Sequence, residues 1–393
     1  MRNFDDDPPI ITLSAGPVDA YPVVLRALSR PVTYDFDPSF QQFYESTVRK
    51  TAESLRTALP PVILMGEPVL GLEAAAAALI GADDVVLNLA SGEYGKGFGF
   101  WAARHCRELV EIVAPFDDAI DPDAVSSMLK ARPDIRILSV CHHDTPSGTV
   151  NPVHEIGAIC REHDVLTIVD AVSSFGGMDV HPEDIHADIF VTGPNKCLGG
   201  STGLSIVHVS ERAWAKIDAN PAAPTDSVLS LKDWRDAWRA DVLFPYTPSV
   251  SEVHALDAAV QNYLDEGPQA VWARHALTAR ACRAGVRAMG LDIWPAREAI
   301  CADTATTVRV PEGLEDAAIR QAARRLYGVV FSAGRGSLLG KLVRIGHMGP
   351  VARPIFATVA VTALGGAIAS LGGKADVGAG VEAALAVIDG AEA

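Results

Sequence analysis

Six short apolar runs alternate with helix-like or loop segments along the chain, and this alternation limits the possible folds more than any other feature. The runs cover residues 85–89, 109–113, 135–140, 165–169, 189–191 and 204–207. Continuous apolar strands that alternate with helices predict an α/β fold, with a mostly parallel sheet covered by helices. Such sheets bind ligands beyond the carboxyl ends of their strands, so the residues that follow each run are candidate site residues.

The chain has 393 residues, more than a single hydrophobic core usually supports, so two domains are expected. Long helical patterns over residues 247–265 and 268–289 lead out of the strand-rich part, and mixed strand-like and helical patterns follow them. We therefore predict a large domain over residues 16–265 and a smaller C-terminal α+β domain over residues 266–393. Residues 1–15 are expected to pack on the small domain.

Composition favours an enzyme or binding protein for small molecules. With 33 basic and 49 acidic residues the net charge is −16, which disfavours nucleic acid and anionic membranes as partners. Six cysteines without CxxC spacing indicate reduced thiols in a cytoplasmic protein, and we expect no secretory signal because the N-terminal residues are acidic and lack an apolar run. The uncharged stretch 355–373 has the length of a membrane span, but its Ala, Gly and Thr content favours a closely packed helix.

Four candidate site residues follow the predicted strands. Lys196 lies in a Gly-Pro-Asn-Lys turn, where desolvation would lower the pKa of its amine and make it a Schiff-base nucleophile; an exposed turn lysine is the alternative. Asp170 ends a strand and is placed to keep a pyridinium nitrogen protonated, or else to cap a turn. Tyr94, in a glycine-rich loop, offers a ring face for stacking, and Thr145 lies in a third polar loop.

A metal site and a serine triad are not predicted. The run from Cys141 to Asp144 has metal-binding side chains, but consecutive residues leaving a strand point to opposite faces. Ser173 and Ser174 lack the G-x-S-x-G surroundings of a nucleophilic serine.

Three motifs in this order resemble the class V, fold-type I aminotransferases, which depend on pyridoxal phosphate. They are Asp-Ala-Val-Ser-Ser from Asp170, Gly-Pro-Asn-Lys-Cys-Leu around Lys196, and Arg-Ile-Gly-His-Met-Gly from Arg344. The resemblance covers nearly the whole chain and implies a large domain with a seven-stranded-type sheet. It also implies site roles: Lys196 for the Schiff base, Asp170 for the pyridine nitrogen, Tyr94 for ring stacking, Thr145 for the ring 3-hydroxyl, and Arg344 for the substrate carboxylate. Arg335 would share that carboxylate or close the site, and structural ion pairs are the alternative for both arginines.

The chain departs from the family pattern where the cofactor phosphate is usually bound. Glu67 and Pro68 stand in place of a loop of small residues, which adds a carboxylate and removes one backbone donor. Two like charges about 4 Å apart at an effective dielectric near 20 repel by roughly 4 kcal/mol. We therefore expect the site to reject pyridoxal phosphate and to hydrogen-bond the hydroxymethyl group of unphosphorylated vitamin B6 through Glu67. A helix N-terminal acid favoured by the macrodipole is the alternative for this residue.

A second departure lies in the segment that carries Phe244 and Tyr246. This segment resembles the one by which the neighbouring subunit of a family dimer touches the phosphate, and Phe244 replaces a tyrosine that usually binds it. The resemblance thus implies a homodimer or homotetramer in which both aromatic residues contact the neighbouring subunit.

Together the resemblance and its departures imply a transaminase that converts pyridoxamine and pyruvate to pyridoxal and L-alanine in vitamin B6 degradation. No cofactor would be permanently bound, because the vitamin B6 compound is itself a substrate. One alternative is a pyridoxal-phosphate-dependent alanine–glyoxylate or serine–glyoxylate aminotransferase. The alternative from another class is a non-catalytic vitamin B6-binding protein.

Overall fold

The computed structural model of the protein describes residues 10–391. The acidic N-terminal residues, on which the expected absence of a secretory signal depends, lie outside the described residues. The strands are β1 Ile11–Leu13, β2 Val62–Leu64, β3 Val85–Ala90, β4 Glu108–Val113, β5 Ile135–Cys141, β6 His143–Asp144, β7 Thr149–Val150, β8 Leu166–Asp170, β9 Ile189–Thr192, β10 Ser205–Val209, β11 Ala305–Arg309, β12 Val329–Ala333 and β13 Leu342–Gly346.

The α-helices cover the sheets and join their strands. They are α1 Pro22–Leu28, α2 Pro38–Ser54, α3 Pro68–Leu79, α4 Glu93–Ala102, α5 Pro122–Ala131, α6 Val153–Glu162, α7 Glu211–Ala219, α8 Leu231–Trp234, α9 Val250–Glu266, α10 Pro268–Ala288, α11 Asp316–Tyr327, α12 Pro354–Ser370 and α13 Val377–Asp389.

The large sheet has seven strands in the order β2-β10-β9-β8-β5-β3-β4. Neighbouring strands from β9 to β4 run parallel, whereas β10 is antiparallel to both β9 and β2. Every residue of β3, β9 and β10 is buried, as the continuous apolar runs require, because helices cover both faces. The predicted α/β fold with a mostly parallel sheet is confirmed.

A second sheet has four strands in the order β1-β12-β13-β11. Strand β1 pairs in parallel with β12, so residues 11–13 lie beside a strand more than 300 residues later in sequence. This sheet packs with α10, α11, α12 and α13 into a hydrophobic cluster separate from that of the large sheet. The division of the chain into two domains at residue 265 stays a prediction.

Helix α12 contains most of the uncharged stretch that has the length of a membrane span. Eight of its residues are buried, and a methyl group added at Gly365 would lie 2.6 Å from the sulfur of Met289 on the neighbouring element. Small residues therefore let α12 pack closely. Within residues 10–391, no helix combines the length and apolar character needed to cross a membrane.

Candidate active site

A cavity of about 480 Å³ opens where the carboxyl ends of β8 and β9 meet the loop after β1 and the loop after β12. Both sheets thus contribute to one site, as expected for ligand binding at strand ends. The lining residues include four of the predicted ones and the two that depart from the family pattern: Lys196, Asp170, Tyr94, Arg335, Glu67 and Pro68.

Lys196 is buried in the turn that follows β9, with only 9% of its surface exposed. Its Nζ atom donates a hydrogen bond of 2.8 Å to the carbonyl oxygen of Ala15, which follows β1. Burial, assisted by the positive charge of Arg344, lowers the pKa of the amine to about 8, against the opposing effect of Asp170 and Glu67. The alternative of a solvated turn lysine does not fit this position.

Gly16 leaves the space that the lysine amine occupies. A Cβ atom at this position would lie 1.7 Å from Nζ of Lys196, and the φ angle of +124° favours glycine independently. Any larger residue in the turn after Ala15 would displace the reactive amine.

Asp170 is the last residue of β8, and its half-buried carboxyl group faces the cavity. One of its oxygens, Oδ1, accepts a hydrogen bond of 2.9 Å from the backbone N–H of Val172. Desolvation raises the pKa of this carboxyl to about 6, although the Val172 and Cys141 donors and the Lys196 charge oppose the rise. A carboxylate here is placed to pair with a protonated ring nitrogen.

Tyr94 lies in the first turn of α4 rather than in the loop that its glycine-rich surroundings predict. The backbone N–H of Tyr94 donates to Oδ2 of Asp144 at 2.7 Å, and that of Gly95 does so at 3.4 Å. Asp144 therefore acts as an N-terminal cap supplied by another element. It approaches closely because a Cβ atom at Gly92 would lie 2.1 Å from the Asp144 Cγ atom.

Several buried polar atoms near the strand ends have no hydrogen-bond partner among the described residues. They include Oγ1 of Thr145, Oδ1 of Asp144, Nε2 of His143 and Oδ1 of Asn195. Unpaired buried polar groups are unfavourable unless a ligand or water satisfies them. The free hydroxyl of Thr145 is consistent with a partner for the ring 3-hydroxyl, and that role stays a prediction.

Two arginines from the small sheet differ in how they are held. Arg344, on β13, is 9% exposed, and its Nε atom donates to the carbonyl oxygen of Ala333 at 2.6 Å. Arg335 is exposed, and its guanidinium carbon lies 5.3 Å from the centre of the Tyr94 ring. Neither arginine has a carboxylate within 4.0 Å in the described part of the chain. Arg335 lines the cavity and Arg344 does not, so binding of a substrate carboxylate by both arginines stays a prediction. A planar guanidinium binds a carboxylate in a bidentate manner.

Glu67 and Pro68 lie at the start of α3, at the mouth of the cavity. Glu67 is exposed and precedes the helix, and its side chain makes no capping hydrogen bond. Pro68 is the first helical residue, where it removes one of the free backbone N–H groups that bind anions at helix N-termini. Neither residue favours an anion at the start of α3, and rejection of a phosphate there stays a prediction.

Phe244 and Tyr246 pack within their own chain. The Phe244 ring is buried, with ring centres 5.0 Å from Tyr44 and 6.0 Å from Phe40, and Tyr246 packs edge-on against Trp234 at 4.9 Å. Contact of both residues with a neighbouring subunit stays a prediction, and any such contact would use the exposed parts of this segment.

One group of three potential metal ligands occurs among residues 10–391. It consists of Asp179, His181 and Asp184, none of which lines the cavity around Lys196. The guanidinium of Arg56 lies 3.7 Å from the Asp179 carboxylate, so this carboxylate already has a cationic neighbour.

Sequence reasoning assigned no role to Glu93, Asp144 or Gly92, which organise the start of α4. Glu93 accepts hydrogen bonds from Ser337, in the loop that follows Arg335. The partners are 50 residues apart for the cap and 244 residues apart for the Glu93 contact, so no local pattern reveals them.

Comparisons with known proteins agree with this geometry. The family model of the class-V aminotransferases matches residues 101–344. The pyridoxamine–pyruvate transaminase of Mesorhizobium japonicum is 62% identical over 389 residues, which cover 99% of each chain. The crystal structure of pyridoxamine–pyruvate aminotransferase from Mesorhizobium loti superimposes with a TM-score of 0.98 at 62% identity, covering 100% of both chains.

A more distant relative has the same architecture. The crystal structure of ureidoglycine–glyoxylate aminotransferase from Bacillus subtilis has a TM-score of 0.92 at 27% identity, covering 98% of this chain and 99% of that one. The predicted fold-type I architecture is thereby confirmed, and the chain belongs to the class-V aminotransferase family.

Proposed function

We propose that this aminotransferase transfers the amino group of pyridoxamine to pyruvate, giving pyridoxal and L-alanine, through a Schiff base on Lys196. The observation that carries the proposal is the placement of Glu67 and Pro68 at the mouth of a cavity that otherwise suits a vitamin B6 ring. The relative that is 62% identical carries the name of this activity, which supports the assignment. A role in vitamin B6 degradation follows from the reaction.

Each candidate site residue has a chemical role in this proposal. Lys196 binds the aldehyde of pyridoxal and moves protons during amino transfer, for which a buried amine with a pKa of about 8 is suited. Asp170 holds the ring nitrogen protonated, Tyr94 stacks on the ring, and Thr145 bonds the ring hydroxyl. Arg344, with Arg335, binds the carboxylate of pyruvate or L-alanine.

Glu67 excludes the phosphorylated vitamin by charge and accepts a hydrogen bond from the hydroxymethyl group of the unphosphorylated one. Because Glu67 is exposed, water screens its repulsion of a phosphate below the roughly 4 kcal/mol expected at short range. The remaining repulsion and the absence of a backbone N–H donor at Pro68 both weaken phosphate binding. We therefore propose that no vitamin B6 compound is permanently bound.

The proposed oligomeric state rests on the same family relationship. We propose a cytoplasmic homodimer or homotetramer in which the segment carrying Phe244 and Tyr246 faces the neighbouring subunit. The proposed domain division places Lys196 in the large domain, residues 16–265, and both substrate-binding arginines in the small domain, residues 266–393.

The decisive experiment titrates purified protein with pyridoxal and, in parallel, with pyridoxal phosphate, while absorbance near 400 nm reports Schiff-base formation. We expect colourless protein that turns yellow with pyridoxal at much lower concentration than with the phosphate, and no colour with Lys196→Ala. Glu67→Ser should improve apparent affinity for the phosphate by about tenfold or more, equivalent to about 1.4 kcal/mol.

Two outcomes separate the alternatives. A phosphorylated cofactor retained through purification would contradict the proposal and favour a glyoxylate-type transaminase that depends on pyridoxal phosphate. Yellow colour without amino transfer to pyruvate would indicate a vitamin B6-binding protein. Normal turnover by the Lys196→Ala variant would contradict the role of this lysine.

A further inference from the structure

We propose that Glu93 is a positioning residue that holds the Arg335 loop over the cavity and thereby sets the affinity for the substrate carboxylate. This inference rests on the proposed transamination, because it concerns the carboxylate of pyruvate and L-alanine. Glu93 is the first residue of α4, and the loop it holds follows β12 of the other sheet.

The contact joins one side chain to the backbone of the opposite loop. Oε1 of Glu93 accepts a hydrogen bond of 2.7 Å from the backbone N–H of Ser337 and one of 2.5 Å from its Oγ hydroxyl. Ser337 lies in a short 3-10 helix, Gly336–Leu338, that begins directly after Arg335. Bonds from two donors to one carboxylate oxygen fix the position of the loop more firmly than a single contact does.

Gly336 lets the loop backbone approach the carboxylate. Its φ angle is +55°, and a Cβ atom there would lie 1.9 Å from Oε2 of Glu93. The left-handed backbone favours glycine here, and a larger residue would displace the Glu93 carboxylate from its present position. The contact in its present geometry therefore depends on glycine at position 336.

The consequence concerns Arg335, whose place depends on this loop. Its guanidinium lies over the ring of Tyr94, the residue that follows Glu93, at 5.3 Å from the ring centre. Arg344 needs no such support, because burial and its bond to Ala333 hold it in place. The site thus has one fixed arginine and one that the Glu93 contact positions.

Loss of the Glu93 contact should weaken binding of the substrate carboxylate more than binding of pyridoxal. A mobile Arg335 must be ordered when pyruvate binds, and that ordering reduces affinity. Capture of pyridoxal by Lys196 involves no carboxylate and should be little changed. The variant should therefore lose affinity for pyruvate but not for pyridoxal, whereas a general loss of stability would affect both.

The test compares Glu93→Ala with Glu93→Gln. The control is Glu108→Gln, which removes the same charge from an exposed ion pair on the edge strand β4. For Glu93→Ala we expect KM for both pyruvate and L-alanine to rise about tenfold, kcat to change less than twofold, and the pyridoxal titration to be unchanged. Glu93→Gln retains an acceptor oxygen, so it should restore most of the affinity. Ser337→Ala removes one donor and should give an intermediate KM.

Other outcomes would contradict the proposal. If Glu93 served only as an N-terminal acid of α4, Gln and Ala would lower the melting temperature alike and leave KM at the control value. An equal loss of pyridoxal and pyruvate affinity would indicate displacement of Tyr94 instead. Failure of the proposed function is distinguishable, because wild-type protein would then not transfer the amino group of pyridoxamine to pyruvate.

Discussion

The amine of Lys196 shows how a single side chain acquires its reactivity from its surroundings. Burial and the Arg344 charge disfavour the protonated form, while Asp170 and Glu67 partly restore it, so the pKa lies at about 8 rather than 10.5. A pKa near neutral pH provides both a free amine for attack on an aldehyde and a conjugate acid for proton return. The Ala15 carbonyl orients that amine without neutralising a charge.

We expect the rate of pyridoxal capture to rise with pH and to level off above a midpoint of about 8. Below the midpoint the amine is protonated and cannot attack, and above it the nucleophile is fully present. Stopped-flow absorbance at 400 nm between pH 6 and 10 measures the midpoint. A small amine in solution, titrated in the same buffers, corrects for the ionisation of pyridoxal itself. A midpoint near 10.5 would mean that the lysine is solvated.

At the scale of single elements, α4 forms although its sequence is poor in helix signals. Three glycines, at positions 95, 97 and 99, lower its helix propensity, and no acceptor in its own sequence caps its first turn. The cap comes from Asp144, which burial keeps at a raised pKa of about 6. Tertiary contacts thus override local propensity and place Tyr94 at the cavity.

Gly92→Ala is expected to destabilise α4 and displace Tyr94. The added methyl group would lie 2.1 Å from Cγ of Asp144, so the cap must move away. We expect a loss of about 1–3 kcal/mol in the free energy of unfolding, with roughly tenfold weaker pyridoxal binding. Denaturant titration and the 400 nm absorbance titration measure the two effects.

Gly97→Ala is the matched control within the same helix. A Cβ atom there meets nothing within 4 Å, so this variant should be neutral or more stable, by up to about 1 kcal/mol. If both variants behaved alike, the Asp144 cap would not be what holds Tyr94 in place.

The elements also show what a sequence reveals and what it does not. The apolar runs predicted the central strands, and the strand ends directed attention to Asp170 and Lys196, which both line the cavity, because periodicity and turn chemistry are local. Strand β2 and helix α4 were not predicted. The three residues of β2 are too few to show a periodic pattern, and the glycines of α4 lower the helix propensity of its sequence. Contacts such as Lys196 with Ala15, 181 residues apart, arise only when both sheets assemble.

At the scale of the whole molecule, burial shifts the pKa of several ionisable groups in the direction that favours their neutral form. Five histidines are at most 7% exposed, and desolvation lowers the pKa of each to between about 3 and 4. They are His142, His143, His208, His275 and His347. Asp144 and Asp170 shift in the opposite direction, because burial raises the pKa of each to about 6.

These shifts predict that the protein loses stability as the pH falls from 6.5 toward 4. In the unfolded protein these histidines bind protons below about pH 6.5, whereas in the folded protein they bind none until about pH 4. Between these pH values the five histidines therefore bind five more protons in the unfolded state, which acid favours. The two carboxyl groups oppose this effect, because as the pH falls they bind protons in the folded state before they do so in the unfolded state. The unfolded state is left with a net excess of three bound protons. The contribution of these seven groups to the free energy of unfolding should therefore fall by at most about 4 kcal/mol per pH unit.

His208→Leu tests the cause of this acid sensitivity. His208 is 2% exposed on β10, and its Nδ1 atom has no hydrogen-bond partner within residues 10–391, so leucine of similar size leaves no donor or acceptor unpaired there. Removing one titrating group should reduce the pH slope by about 1.4 kcal/mol per pH unit, which denaturant midpoints between pH 4.5 and 7 would measure. An unchanged slope would show that this histidine is already protonated in the folded protein, and that the strand bearing it is open to water.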